Sequence, residues 1–324
     1  MSFVNKSLVR QCRQNKNLPR FRLSVSGRHY FGYYERINEW VGLISRHGLK
    51  ELDPEFHQLH SPYPLPQSIL SHDSLTVLRL SGCQLTGLPF GYDSVTWPSL
   101  IELSLRNTHI DDAKIIDNLS LTCPLIQKLT LVSCSDVNNL RLSGFARLRE
   151  VKVIDTALVD KEICIFNLPS LQYLSCGFSK VVGEEYRIND LAGCEALEVL
   201  KLKYIRFTNS MIVQLLPQLS ALKTLVLWCC PGLRRVTVKN RSLEKLHVVS
   251  AFDQELLMLD APSLRSLKHT AQKKLPALFL SSNMSTLRTV SVRSFSGHKI
   301  GTNCGFLEGI AGYLGSSSLW APSI

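Results

Sequence analysis

The sequence predicts an α/β solenoid of short parallel strands stacked repeat upon repeat, on three observations. A motif, L-x-x-L-x-L-x-x-C/N-x-L, recurs along most of the 324 residues. Its copies begin at 75, 100, 126, 148, 171, 197, 222, 243, 264 and 287, with spacings of 25, 26, 22, 23, 26, 25, 21, 21 and 23. The segments between copies show helical spacing of apolar residues in the longer repeats, whereas the 21-residue repeats have room only for an extended or turn return. A period of about 20–29 residues with this consensus is the pattern of leucine-rich repeats. The expected architecture is a horseshoe with a parallel concave β-sheet and a mixed helical and extended convex side.

The spacing gives the physical reason. In L-x-L the alternate residues point to one face of a strand. One short strand cannot bury that face alone, so neighbouring repeats stack and share a core. Leu75, Leu78, Leu80, Cys83 and Leu85 fit the motif at every position, and Leu197, Leu200, Leu202, Ile205 and Phe207 fit it nearly as well. Two looser units come first. Leu18, Phe21 and Leu23 form one. Leu49 and Leu52 form the other, with Pro54 at the third apolar place; proline cannot donate to a ladder, so a short or distorted strand is expected there. Between them, Ile37, Trp40, Val41 and Ile44 mark an amphipathic helix closing at Gly48. Asp111–Leu119 begins with acids, which favour a helix N-terminus. Met211, Ile212, Leu215, Leu216 and Leu219 predict another helix, with Thr208 or Asn209 as N-cap. After Phe295 the register stops: Gly305–Leu314 suits a short helix, and Gly315–Ser318 reads as flexible. The expected domains are 1–48, an N-terminal cap and linker-like segment with a first strand and helix; 49–295, the repeats; and 296–324, a divergent tail that is either a cap on the last repeat or unrelated sequence.

Composition limits the classes. Hydrophobic residues make up 45%, enough for a sizeable core. No apolar run approaches the ~18 residues of a membrane span, and charge interrupts the first ten residues, unlike a signal peptide. A soluble protein of the cytoplasm and/or nucleus is expected, with no membrane partner. The ten cysteines are scattered without C-x-x-C or zinc spacing and suit core thiols in a reducing compartment. Sequons at Asn5, Asn118, Asn240 and Asn283 carry no weight without a secretory signal. The net charge of +11 is uneven: residues 1–50 and 201–250 are each +8, while 51–100 and 151–200 are each −4. Such blocks steer which partners approach which surface.

No catalytic, nucleotide-binding or metalloprotease motif is present, so no enzyme activity, cofactor or metal is expected. His29, His57, His60 and His72 lie near Asp53, Glu55 and Asp73; solvated loop residues are expected there rather than a metal site. His269 falls on an inward place of its repeat, where a satisfied or partly exposed edge histidine is expected.

The informative surface is the concave one. Its central column reads Arg79, Ser104, Thr130, Lys152, Ser175, Lys201, Val226, His247, Lys268 and Ser291. The next reads Ser81, Arg106, Val132, Ile154, Gly177, Lys203, Trp228, Val249, Thr270 and Arg293. Neither column contains an acid. The candidate binding surface is therefore Arg79, Arg106, Lys152, Lys201, Lys203, Trp228, His247, Lys268 and Arg293, with Lys201, Lys203 and Trp228 close together on adjacent repeats. Trp and Arg are over-represented at binding hot spots. An acidic protein segment or a phosphorylated ligand is the expected target.

Several segments carry a resemblance over roughly residues 3–295. They are Phe3–Arg10 with Phe21–Val25; Trp40 through Gly48-Leu-Lys-Glu-Leu-Asp53; Tyr63–Pro66 with Ser74–Cys83; Cys123–Ile126 with Leu129–Cys134; and Leu259-Asp-Ala-Pro-Ser-Leu264. In these the sequence resembles the repeat region of plant F-box/LRR proteins. The resemblance implies the target-recognition part of an SCF ubiquitin ligase receptor, in which the F-box holds a Skp-type adaptor. The helical F-box module of that family would precede Phe3, and the sequence starts at Met1, so adaptor binding is not expected of this chain. Leu65–Leu70 superficially resembles an F-box opening, but a repeat strand follows it at once. Two other readings stay open: a stand-alone repeat protein or decoy without ligase coupling, and a basic surface for an anionic ligand. Nucleic acid is the weaker ligand, since no RNP-type aromatic motif accompanies the charge.

Overall fold

The structure, a computed structural model, describes residues 10, 17–26, 34–57, 61–70, 72–85, 97–110, 116, 118–137, 140–179, 186–206, 208–250, 254–271, 276–280 and 285–294. The tail 296–324 with its expected helix, and most of the acid-led segment 111–117, lie outside these residues. The chain divides into two units, Met1–Leu171 with Asn189–Cys194, and Gln172–Ile188 with Glu195–Ile324.

Each L-x-L segment forms a strand, and within each unit the strands pair in parallel in chain order. In the first unit the main sheet is β1 (Arg20–Ser26), β2 (Glu51–His57), β4 (Val77–Ser81), β6 (Glu102–Arg106), β8 (Lys128–Val132) and β10 (Glu150–Ile154). In the second it is β12 (Tyr173–Gly177), β14 (Val199–Lys203), β16 (Thr224–Trp228), β18 (Lys245–Ser250), β20 (Ser266–Ala271) and β22 (Thr289–Ser294). The register places leucine beside leucine: Leu202 pairs with Leu227, and Leu78 with Leu103. These inward residues are almost wholly buried, which makes each unit a leucine-rich-repeat solenoid with a shared apolar core.

The consensus polar place has a repeated job. Directly after the strand, Gly82, Asn107, Ser133, Asp155, Tyr204 and Cys229 all adopt left-handed φ between 46° and 69°. The N–H groups of Gly82, Asn107, Ser133, Tyr204 and Cys229 reach across to the next repeat, as in Asn107 N–H to the Val132 carbonyl at 2.8 Å and Tyr204 N–H to the Trp228 carbonyl at 2.9 Å. At Gly82 a side chain is impossible, because a Cβ would stand 2.1 Å from the Phe56 carbonyl oxygen. The following residue turns back beneath the strand: Thr108 Oγ1 donates to the Arg106 carbonyl at 3.0 Å, and Cys134 Sγ to Leu105 at 3.4 Å. Cysteine and threonine share the position because both offer a short donor on a small side chain. Burial pushes the Cys83, Cys176 and Cys230 thiols up to about 12, so they are poor nucleophiles and serve as core. Cys12 and Cys304 lie outside the described residues.

The returns follow repeat length in part, since the 26-residue repeat from 171 returns as a strand. In the 21-residue repeats they are extended, and β17 (Arg235–Lys239), β19 (Leu256–Asp260) and β21 (Ala277–Leu280) form a second parallel sheet. Smaller ladders join β3 (Tyr63–Pro64), β5 (Cys83–Leu85) and β7 (His109–Ile110), then β9 (Leu140–Leu142) with β11 (Glu162–Ile165), and β13 (Tyr186–Asp190) with β15 (Ile205–Arg206). Helices are few. The first, α1 (Tyr34–Ser45), buries Ile37, Trp40, Val41 and Ile44, the four residues of its amphipathic pattern, and the left-handed Gly48 follows it at φ 71°. Short turns α2 (Gln67–Leu70) and α3 (Leu119–Thr122) occupy other returns. In α4 (Asn209–Leu215) the N-cap is Thr208, whose hydroxyl accepts from Met211 N–H.

Two alternatives that the sequence left open are decided. β2 is distorted rather than short: it runs seven residues, with Pro54 buried at an inward place. Its ladder to β1 is unbroken, pairing Leu23 with Pro54, while the ladder to β4 lapses at Asp53 and Pro54 and resumes at Glu55 and Ser81. A strand residue turns its backbone groups toward one neighbour, so the missing N–H disturbs one side only. His269 is the satisfied histidine and not the partly exposed one: it is fully buried on β20, and its Nε2 lies 3.1 Å from Gln254 Oε1. A histidine is tolerated there because Gln254, itself buried, supplies the acceptor.

Asn240, read above as one of four chance sequons, is buried. Its Nδ2 donates to the Leu216 and Leu219 carbonyls at 2.7 and 2.9 Å, and its Oδ1 accepts from Ser242 N–H at 3.0 Å. The side chain thus closes the turn that follows α4. Asn240→Ala would remove the side-chain donor from the Leu216 carbonyl and leave Leu219 with the Leu222 N–H alone. Urea unfolding is expected to show a loss of about 1–3 kcal/mol; an unchanged midpoint would remove Asn240 from this role.

Candidate binding face

Strand alternation turns three residues of each main strand toward the open face. Across the second unit these form a lattice of three columns. The first column is Tyr173, Val199, Thr224, Lys245, Ser266 and Thr289; the central one runs from Ser175 through Lys201, Val226, His247 and Lys268 to Ser291; the last runs from Gly177 through Lys203, Trp228, Val249 and Thr270 to Arg293. The lattice contains five Lys or Arg residues and no acid. Lys203 and Trp228 are register neighbours, as are His247 and Lys268.

Aromatic rings organise the charges. Lys201 Nζ lies over the Tyr173 ring at 5.2 Å, and Lys203 Nζ over Tyr204 at 5.6 Å. Both are cation–π contacts, which hold an ammonium without neutralising it. The Trp228 indole is 41% exposed and meets His247 edge to face at 6.1 Å. His247 Nε2 is buried and makes no hydrogen bond among the described residues. Partial burial, and then Lys268, lower the His247 pKa, so the ring is neutral at pH 7.

The first unit is different. Arg79, Arg106 and Lys152 do lie on the open face, but its first column brings Glu102 and Glu150 beside them. Arg79 Nε donates to Glu102 Oε1 at 2.7 Å, and Lys152 pairs with Glu150. β2 adds Glu51, Asp53 and Glu55, which pair with Arg20 and Arg22 on β1. The acid-free strip is therefore a property of the second unit. Two columns show no acid because the acids of the first unit occupy the column one place earlier and the strand before Arg79. Tyr173 and Tyr204 were also missed. Tyr173 is visible as the residue two before Ser175 on the same face; Tyr204 belongs to the left-handed turn, which periodicity does not reveal. Some open-face residues are also buried, Ser81 at 8% and Ser104 at 4% exposed, since short side chains lie below their longer neighbours.

The histidines once considered for metal have other roles. His72 Nε2 lies 3.0 Å from the Ser45 carbonyl oxygen, and His57 Nε2 lies 3.8 Å from Glu55. His29 and His60 lie outside the described residues. Among the described residues no three His, Cys, Asp or Glu side chains gather for a metal ion, and no helix is long and apolar enough to cross a membrane.

The fold and this face define a leucine-rich-repeat protein with a broad, partly aromatic sheet surface, the kind of surface that holds another molecule. The family profile described as "FBD-associated F-box protein At5g56370, LRR repeats" matches residues 37–188 and 164–291, and the chain belongs to that family. Similar proteins include several from Arabidopsis thaliana. "F-box/LRR-repeat protein 13" is 28% identical over 143 residues, 43% of this chain and 31% of that protein. "FBD-associated F-box protein At5g56370" is 29% identical over 152 residues, 45% of this chain and 35% of that protein. "FBD-associated F-box protein At5g56380" is 33% identical over 98 residues, 30% of this chain and 21% of that protein. The matched stretch thus spans about a third or less of each of these relatives.

Proposed function

We propose that the chain is the protein-capturing repeat region of an SCF-type ubiquitin ligase receptor, and that the open face of the second unit is its capture surface. Its work is binding rather than catalysis. The observation that carries the reading is the lattice holding Lys201, Lys203, Lys268 and Arg293 with Trp228 and no acid. Unpaired like charges raise the local potential and draw in a partner of opposite sign. The printed names of the relatives, all F-box proteins, support the link to ubiquitination. Buried thiols without disulfides among the described residues support a reducing compartment, the cytoplasm or nucleus.

The test uses the tagged product of the whole gene, in which an F-box would accompany these repeats, in plant cells with the proteasome inhibited. Precipitates are expected to contain a Skp-type adaptor and ubiquitin conjugates. Reversing Lys201 and Lys203 to glutamate should remove the conjugates and leave the adaptor. Conjugates captured equally by the reversed protein would overturn the assigned face. Capture of the same target without adaptor would replace the receptor by a stand-alone binder or decoy.

A further inference from the structure

Resting on that capture surface, we propose that its ligand is an extended acidic protein segment lying across the strands from β14 to β22, with one apolar side chain on Trp228 and Val249 and carboxylates spaced on either side of it.

The spacing of the lattice argues for this ligand. In the central row, Lys201 on β14, Val226 on β16, His247 on β18 and Lys268 on β20 stand in register. In the last row, Lys203, Trp228, Val249, Thr270 and Arg293 do the same as far as β22. Neighbouring strands are about 4.8 Å apart, which puts Lys201 about 14 Å from Lys268 and Lys203 about 19 Å from Arg293. An extended peptide advances about 3.3 Å per residue, so these cations match carboxylates about four and about six residues apart. Between the charged ends the last row offers Trp228, exposed, and Val249 beside it. An acidic residue at each end and an apolar one between is the complementary sequence.

The same distances disfavour a single phosphoryl group. Lys201 and Lys203 lean onto different rings, Tyr173 and Tyr204, so their ammonium groups do not converge on one point. The remaining cations are several strands away. In the first unit Arg79, Lys152, Arg20 and Arg22 already pair with Glu102, Glu150 and the acids of β2, so that face has no comparable excess to offer.

Fluorescence anisotropy with the full chain tests the spacing. The probe is a labelled ten-residue peptide with two glutamates four residues apart about a central leucine. Comparators place the glutamates side by side, replace leucine with serine, or replace the peptide with single-stranded oligouridylate. The spaced peptide is expected to bind about tenfold tighter than either altered peptide, and about thirtyfold more weakly to Trp228→Ala. Lys239→Glu, on return strand β17, should leave binding unchanged. Trp228→Phe keeps an aromatic ring and should recover most of the affinity, which separates a lost contact from a lost fold. Lys201→Glu should bind a peptide carrying lysine for the first glutamate better than it binds the original.

Equal binding of spaced and clustered glutamates overturns the proposal, as does tighter binding of oligouridylate. If the peptides fail while conjugate capture still depends on Lys201 and Lys203, the segment proposed here is wrong and the capture face stands. If both fail, the face itself is wrong.

Discussion

Leu202→Ala lowers the free energy of unfolding by about 2–5 kcal/mol. The residue is 1% exposed on β14, with Cys176 and Leu227 as its register neighbours on β12 and β16. Truncation removes the transfer energy of the lost carbons and leaves a cavity that close-packed neighbours fill only in part. A solenoid aggravates the loss, because each repeat is supported by its neighbours alone and no distant element packs over the gap. The comparison is Val213→Ala on α4, where the side chain is half exposed and the change should stay within about 0.5 kcal/mol. Urea unfolding followed by circular dichroism measures both. Similar losses at the two positions would mean that the inward register is wrong. That register also fixes the candidate face, since a shift of one residue would bury Lys201 and Lys203 and expose the leucines.

The repeat core was legible because a period of two within strands and of 21–26 between them leaves little freedom. Return types were legible only in part: the 21-residue repeats return as strands such as β19 and the 25-residue repeat from 197 as the helix α4, but the 26-residue repeat from 171 returns through the strand β13. The charge of the open face was legible only in part. Reading the residue between the leucines and the one after them captured Lys201, Lys203 and Trp228. It passed over the residue before them, where Glu102 and Glu150 neutralise Arg79 and Lys152. Contacts that cross from strand to return were hidden altogether. Nothing in the spacing of residues 254 and 269 says that Gln254 receives a hydrogen bond from His269, because the intervening chain sets the geometry and has no period of its own. Asn240 is similar: as a sequence it is a sequon, and only its place beneath the last turn of α4 makes it a donor to Leu216 and Leu219.

His269 gives the structure an acid-sensitive stability. Burial, and then the neighbouring His247, lower its pKa to about 4 in the folded protein, against about 6.5 for an exposed imidazole. Between those values the unfolded chain binds a proton that the folded chain does not. Stability therefore rises with pH through this window: the full contribution is present above about 6.5 and is lost as the pH falls toward 4. One proton over that interval is worth about 3 kcal/mol, of which about 2 kcal/mol should already be lost between pH 7 and pH 5. The lower limit of pH 5 keeps the measurement clear of most carboxylates. Asp53, whose pKa burial raises despite Arg22, titrates in the opposite sense. His247 acts in the same direction as His269, so His269→Leu should flatten the pH dependence without abolishing it. Leucine suits the position, since Leu202 and Leu227 hold the equivalent inward place on β14 and β16. Losing the hydrogen bond to Gln254 will shift the variant's stability at every pH, which is why the slope and not the midpoint is the readout. A slope as steep in His269→Leu as in the parent would show that the proton is taken up elsewhere.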